Sequence, residues 1–226
     1  SSDLKKAVDD ARKTIADFIG AKENEIYFTA GGSESDNWAL KATCEAYASK
    51  GKHIITSKIE HHAILHTCEY LEKQGFEVTY VGVDEDGVID MEELKAAIRP
   101  DTILISVMFA NNEIGSIQPI KELCNIAHAR GALFHTDAVQ AYGHVPIDVN
   151  EYGIDLLSAS GHKLNGPKGV GFLYIRKGTK IRPLILGGGQ QKGMRSGTEN
   201  VPGIAGLGAA VKEIYTGHEE KMAHLY

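Results

Sequence analysis

Cysteine is scarce in this chain, with three residues in 226. Cys44, Cys68 and Cys124 form no CxxC pair and no metal-finger spacing, and their odd number argues against a disulfide framework. Each falls at an apolar helical position, as expected of small buried hydrophobes in a reducing compartment and not of activated nucleophiles. Positive charge is also in deficit: 24 Lys and Arg against 30 Asp and Glu give a net charge of −6, with both signs interleaved. That leaves no basic face to neutralise a nucleic-acid backbone or to lie on an anionic membrane. No apolar run approaches the ~20 residues a membrane span needs. The amino terminus carries no basic segment followed by an apolar core and a cleavage site. Repeats, low-complexity tracts and Pro/Ser-rich linkers are missing as well. A cytoplasmic enzyme without nucleic-acid or membrane partners fits these absences. The chain opens without Met and still reads as helix from Lys221 to Tyr226, so a segment of a longer protein is expected.

What is present is ordinary globular composition, 42% apolar and 24% charged, enough for a substantial core. Leu4, Val8, Ala11, Ile15 and Phe18 recur at helical spacing and stop at Gly20. Short apolar runs at Glu25–Thr29, His53–Thr56, Phe76–Val81, Thr102–Met108, Ala132–Thr136, Ile154–Ser158 and Val170–Ile175 read as strands. Most are separated by helical patterns, as at Asp36–Ser49, Ala63–Gln74, Met91–Ile98 and Ile120–Arg130. This alternation predicts one domain, a three-layer α/β/α sandwich around a mostly parallel, seven-stranded sheet. In such sheets ligands bind at the carboxyl ends of the strands. Polar groups cluster where the predicted strands end: Gly31-Gly32-Ser33, His61, Asn111-Asn112, Asp137, and Ser160 to Lys163.

Two of these loops carry the chemistry. Phe28 to Asp36 reads as a strand, a glycine turn and a helix start, where free N–H groups and the helix dipole suit a phosphate. It matches neither GxxxxGK[ST] nor GxGxxG, so nucleotide binding is not indicated; a plain glycine turn with Ser33 or Ser35 as helix cap is the alternative. Ser158-Ala-Ser-Gly-His-Lys163-Leu-Asn-Gly-Pro-Lys168-Gly169 places a lysine at the end of an apolar strand. An amine there can attack a carbonyl if it is held partly desolvated and neutral. Lys168 reads as a solvated loop charge.

The Ser-x-Ser-Gly-His-Lys run with Gly-Pro-Lys-Gly behind it resembles the Schiff-base segment of fold-type I, class V aminotransferase-like enzymes, in particular cysteine desulfurases of the NifS/IscS group. Ile59-Glu-His-His62 and Gly193-Met-Arg-Ser-Gly-Thr-Glu-Asn200 resemble the same family in matching order, and the likeness covers essentially the whole chain. It implies a pyridoxal-5'-phosphate-binding large domain over residues 1–226. An N-terminal segment and a small C-terminal domain are then expected outside this chain. Lys163 is implied to hold the cofactor as a Schiff base and Asp137 to pair with the pyridine nitrogen. Asn112, preferred over Asn111, and Gln140 match the residues on the ring-hydroxyl side. His61 matches the ring-stacking histidine, a possible proton shuttle given where histidine titrates. Gly32, Ser33, Ser160 and His162 are implied for the phosphate, and Thr198 for the phosphate of a neighbouring protomer, hence a homodimer. Arg195 is either an ion-pair residue or part of that shared site. For Asp137 a helix cap, and for the asparagines a turn, remain the bland alternatives. His62 and His66 are one helical turn apart, but no third ligand is evident and Ala63 breaks the HExxH pattern, so no metal is expected.

The resemblance further implies conversion of L-cysteine to L-alanine, with the sulfur passing to a protein cysteine beyond residue 226. From there it would go to a sulfur-acceptor scaffold for iron–sulfur assembly or thiolation. A selenocysteine lyase or another class V aminotransferase-like enzyme shares the same machinery. A non-catalytic dimeric scaffold for sulfur-transfer partners is the reading of another class.

Overall fold

Seven strands and seven α-helices occupy residues 2–223, the part described by the computed structural model. The strands are β1 (Ile26–Thr29), β2 (His53–Ser57), β3 (Glu77–Val81), β4 (Thr102–Ser106), β5 (Leu133–Asp137), β6 (Leu156–Ser160) and β7 (Gly171–Ile175). They form one sheet in the order β1-β7-β6-β5-β4-β2-β3. Every pairing among β2 to β6 is parallel, whereas β7 runs antiparallel to both its neighbours. Parallel strands need a crossover of a dozen or more residues. Residues 161–170, between β6 and β7, hold only a single 3₁₀ turn, so the chain reverses there.

The helices are α1 (Ser2–Phe18), α2 (Gly32–Tyr47), α3 (His62–Lys73), α4 (Met91–Ala97), α5 (Ile120–Ala129), α6 (Val149–Tyr152) and α7 (Val201–Ala223). Successive strand residues point to opposite faces, and two cores result. Ile54, Leu104, Leu156 and Leu173 meet α2 and α3, around the fully buried Trp38. Ile55, Ile105, Leu157, Phe172 and Tyr174 meet the face covered by α1, α4, α5 and α7. These are the expected three layers.

Most boundaries lie within two residues of the sequence reading, and two of the shifts have a local cause. The second helix begins at Gly32 and not at Asp36, because Gly31 turns the chain at φ 151° and leaves no longer loop. Neither serine caps it: Gly31 is the N-cap, and the Ser35 hydroxyl ties the helix to the sheet, donating to the Phe172 carbonyl at 3.0 Å. The sixth strand runs on to Ser160, where the sequence suggested an end at Ser158, since the Ser158 hydroxyl is satisfied inside the sheet by His135 at 2.9 Å. The helix expected at the carboxyl end reaches Ala223, and Tyr226 lies outside the described residues.

The β1 edge is closed by a strap. Gln191 sits in the left-handed region at φ 48°, and its buried amide oxygen accepts from the Phe28 N–H at 2.9 Å and from Arg12 at 3.1 Å. Its amide nitrogen donates to Glu199 at 2.7 Å.

Strand ends converge on one rim. Thr29 and Ser160, the last residues of β1 and β6, both pair with Gly171, the first residue of β7. A Cβ at Gly171 would lie 2.4 Å from the Ala159 carbonyl and 2.8 Å from the Gly31 Cα, so only glycine lets these chains meet.

Candidate active site

A cavity of about 540 Å³ opens at this rim. One wall is the start of α2, where Gly32 and Ser33 present the first turn of a helix with no side-chain cap. Uncapped N–H groups and the positive dipole end make this a place for an anion. Ser160 and His162 close around the same point, the Ser160 hydroxyl 2.8 Å from His162 Nδ1.

The lysine turn is the second wall. Gly161–Leu164 forms a 3₁₀ turn held by the Gly161 N–H on the Val170 carbonyl at 2.9 Å. Asn165 then takes the left-handed conformation at φ 59°, with the Gly166 N–H on the Gly161 carbonyl at 3.0 Å. His144 Nε2 lies 3.1 Å from the Lys163 carbonyl oxygen. The backbone is thus pinned on both sides while the Lys163 side chain stays exposed at the cavity.

Opposite stands His61, the N-cap of α3, whose Nδ1 accepts from the Ala63 N–H at 3.0 Å, which fixes the ring. Asn112 and Gln140 complete the lining. Asn111, the alternative to Asn112, is spent on its own turn: its Oδ1 accepts from the N–H groups of Glu113 at 2.8 Å and Ile114 at 3.1 Å.

Asp137 ends β5 on the floor of the cavity, 5% exposed, and its Oδ1 accepts from the Val139 N–H at 2.9 Å. Burial raises its carboxyl above the usual range. Around it lies a polar layer that no sequence pattern singles out. Asp36 on α2 is 1% exposed, and burial, with Asp137 beside it, pushes its carboxyl well up. Glu60 is raised to about 8 by burial; its Oε1 accepts from the Ser57 hydroxyl at 2.6 Å and the Met108 N–H at 2.9 Å. His135 is fully buried between the hydroxyls of Ser106 (2.8 Å) and Ser158 (2.9 Å), and burial drives it down to about 3, so the ring is neutral.

Of the residues expected at the site, all but Thr198 line this cavity. Thr198 borders a separate groove of about 60 Å³ that shares Ala30 and Gly169 with it. Arg195 forms an ion pair, its guanidinium 2.9 Å from Glu34, and Glu34 in turn accepts from the Ala30 N–H. The three cysteines are buried, and burial pushes each thiol up, Cys44 to about 12. Among the described residues no group of three or more His, Cys, Asp and Glu is placed to hold a metal ion, and no helix is long and apolar enough to cross a membrane.

The arrangement joins an anion cradle, an amine able to react with a carbonyl, and a buried acid able to pair with a protonated nitrogen. The aminotransferase class-V family model matches residues 1–225. A cysteine desulfurase IscS of Methanosarcina thermophila is 65% identical over 208 residues, 92% of this chain and 52% of that protein. A cysteine desulfurase IscS of Clostridium botulinum (strain Hall) is 56% identical over 228 residues, 100% of this chain and 57% of that protein. Among solved structures, a NifS-like protein superposes with a TM-score of 0.93 at 44% identity, over 96% of this chain and 60% of that one. The structure described as SspA in complex with cysteine does so with 0.90 at 43% identity, over 100% of this chain and 67% of that one. The chain spans about half the length of the curated relatives it matches.

Proposed function

The chain belongs to the aminotransferase class-V family, and from that premise we propose that residues 1–226 are the cofactor-binding large domain of a pyridoxal-phosphate-dependent cysteine desulfurase. The observation that carries this reading is the meeting of Lys163, Asp137 and the uncapped start of α2 in one cavity. The donor set fits the cofactor's separate demands for an amine, an acid and an anion cradle. When bound, pyridoxal phosphate would supply an aldehyde for amines and an electron sink for charge developing at the substrate Cα.

The chain's own residues then divide the work. Lys163 would hold the cofactor covalently, and its amino group, when free, would serve as the base that takes a proton from the substrate Cα. Asp137 would keep the ring nitrogen protonated. Gly32, Ser33, Ser160 and His162 would hold the phosphate, while Asn112 and Gln140 would bond the ring-hydroxyl side. His61 would lie against the ring and could pass a proton. Thr198, apart from its own cavity, serves the phosphate of a second copy in a homodimer.

Sulfur chemistry needs a further group. A thiolate must take the substrate sulfur so that the carbon skeleton leaves as alanine, and Cys44, Cys68 and Cys124 are buried with raised thiols. The reading therefore places the persulfide cysteine in the longer protein outside these residues, together with the docking of a sulfur-acceptor scaffold. L-cysteine as substrate is in keeping with the name of its desulfurase relatives and with the cysteine-bound neighbour.

The full-length protein, incubated with pyridoxal phosphate, should release alanine from L-cysteine, and sulfide when a thiol reductant is present, while a separate portion reduced with borohydride should carry the cofactor mass on the Lys163 peptide. Lys163→Ala should lose both. Labelling at Lys168 instead, or cysteine turnover in the Lys163→Ala protein, would overturn the assignment.

A further inference from the structure

Asp36 lies one helical turn into α2 and lines the cavity floor beside Asp137 and Ser158. Its Oδ1 is buried without a hydrogen-bond partner among the described residues. Two carboxyls within hydrogen-bonding reach in a buried site cannot both stay ionised. No lysine or arginine among the described residues pairs with Asp36; the nearest basic group is His135, with Nε2 3.6 Å from Oδ1. That ring is engaged by Ser106 and Ser158 and is neutral, so it cannot offset a charge on Asp36. The other titratable groups that face this point are Glu60, ahead of α3, whose carboxyl acts in the same direction, and Glu34, His61, His162 and Lys163 around the cavity.

We infer that Asp36 is a positioning residue for the cofactor: it keeps its proton and donates it in a hydrogen bond to the Asp137 carboxylate. Asp137 then accepts from two donors of this chain, the Val139 N–H and the Asp36 carboxyl. These bonds hold its charge in place and lower its appetite for a proton, so that it remains the anion which pairs with a protonated ring nitrogen. Charge at the floor is set by which of two neighbouring acids gives up its proton, and the backbone bond from Val139 favours Asp137. Asp36 acts through Asp137. The inference rests on the proposed pairing of Asp137 with the ring nitrogen, but the protonation of Asp36 can be read without any cofactor.

The first test uses infrared difference spectra of the cofactor-free full-length protein at neutral pH, wild type against Asp36→Asn. Glu60, raised to about 8, contributes a carboxylic-acid carbonyl band to both proteins and cancels in the difference, which should retain a further carboxylic-acid band present in the wild type and lost in the isosteric variant. A difference spectrum without that band overturns the inference. The second test adds pyridoxal phosphate. Asp36→Asn keeps a donor and should retain the affinity and the pH profile of the bound cofactor's absorbance. Asp36→Ala should bind at least about tenfold more weakly, as loss of a hydrogen bond to a charged group implies, with the pH midpoint of its band shifted. Wild-type behaviour in Asp36→Ala, or equal damage in both variants, would show that Asp36 is not a neutral donor. Should Asp36→Ala fail to fold, the infrared comparison and the Asn variant still decide. No absorbance change in the wild type itself would instead count against the cofactor reading.

Discussion

Burial holds the Glu60 carboxyl up at about 8, although the Ser57 hydroxyl and the Met108 N–H bond to its ionised form. The ordinary value is 4.5. Between these two values the folded state binds more protons than the unfolded one, so stability falls as pH rises through that window. Glu60→Gln removes this term. Its amide oxygen can accept the same two bonds, and its amide nitrogen replaces Oε2, which has no partner among the described residues. The variant should therefore gain on the wild type between pH 5 and 8 by on the order of a few kcal/mol. Thermal midpoints of the two proteins across that range check the prediction; parallel curves would mean that Glu60 is ionised throughout. Asp36 and Asp137 are raised by burial as well and steepen the wild-type curve, which is why the comparison uses one substitution.

The same residues mark where sequence reading reached its limit. Lys163, Asp137 and His61 were legible because each stands just past an apolar run, and strand ends in an α/β sheet share a rim. Asp36 was not. Flanked by Ser35 and Asn37 it looks like part of a solvated helix start, and what buries it is the packing of α2 on the sheet, where its neighbour Asp137 stands a hundred positions later. Glu60 and His135 were hidden for a related reason: their burial is made by neighbouring strands, and a one-dimensional pattern shows polarity but not partners.

At the scale of elements, the lysine turn depends on α7. Gly206 on that helix abuts the Pro167 ring, and a Cβ there would come within 2.5 Å of Pro167 Cγ. Gly206→Val must push the turn away from the helix or unseat the helix itself, an overpacking cost of roughly 1–3 kcal/mol. Cofactor affinity should fall although no cavity-lining residue is touched, while Gly217→Val, where a Cβ meets no atom within 4 Å, should leave affinity unchanged. Fluorescence titration with pyridoxal phosphate reads both; equal affinity in the two variants would show that α7 does not brace the turn. The elements themselves were largely readable from periodicity. Two boundary shifts trace to serine and glycine: Ser158 and Ser160 look like breakers yet bond within or at the end of the sheet, and Gly31 alone makes the turn before α2.

Across the whole molecule, pairing of the reversed strand β7 with β1 joins the first strand to the last. β1 belongs to the first thirty residues, yet among the described residues its one strand partner is β7, and their pairing closes a loop of roughly 140 residues, an entropic cost that slows folding more than it lowers stability. The amino-terminal strand is thus made first and placed last. As synthesis proceeds, β2 to β6 can assemble in parallel while β1 waits, and the Gly31 turn gains its support only when Gly171 arrives. The site should then be a late product of folding. In refolding from denaturant, secondary structure should return before the ability to bind pyridoxal phosphate, a lag visible when circular dichroism and cofactor absorbance are followed together. Simultaneous recovery would argue for an early β1–β7 pairing. A nascent chain with that order carries its cofactor only after its longest-range strand pairing is made, so cofactor occupancy reports that the sheet has closed.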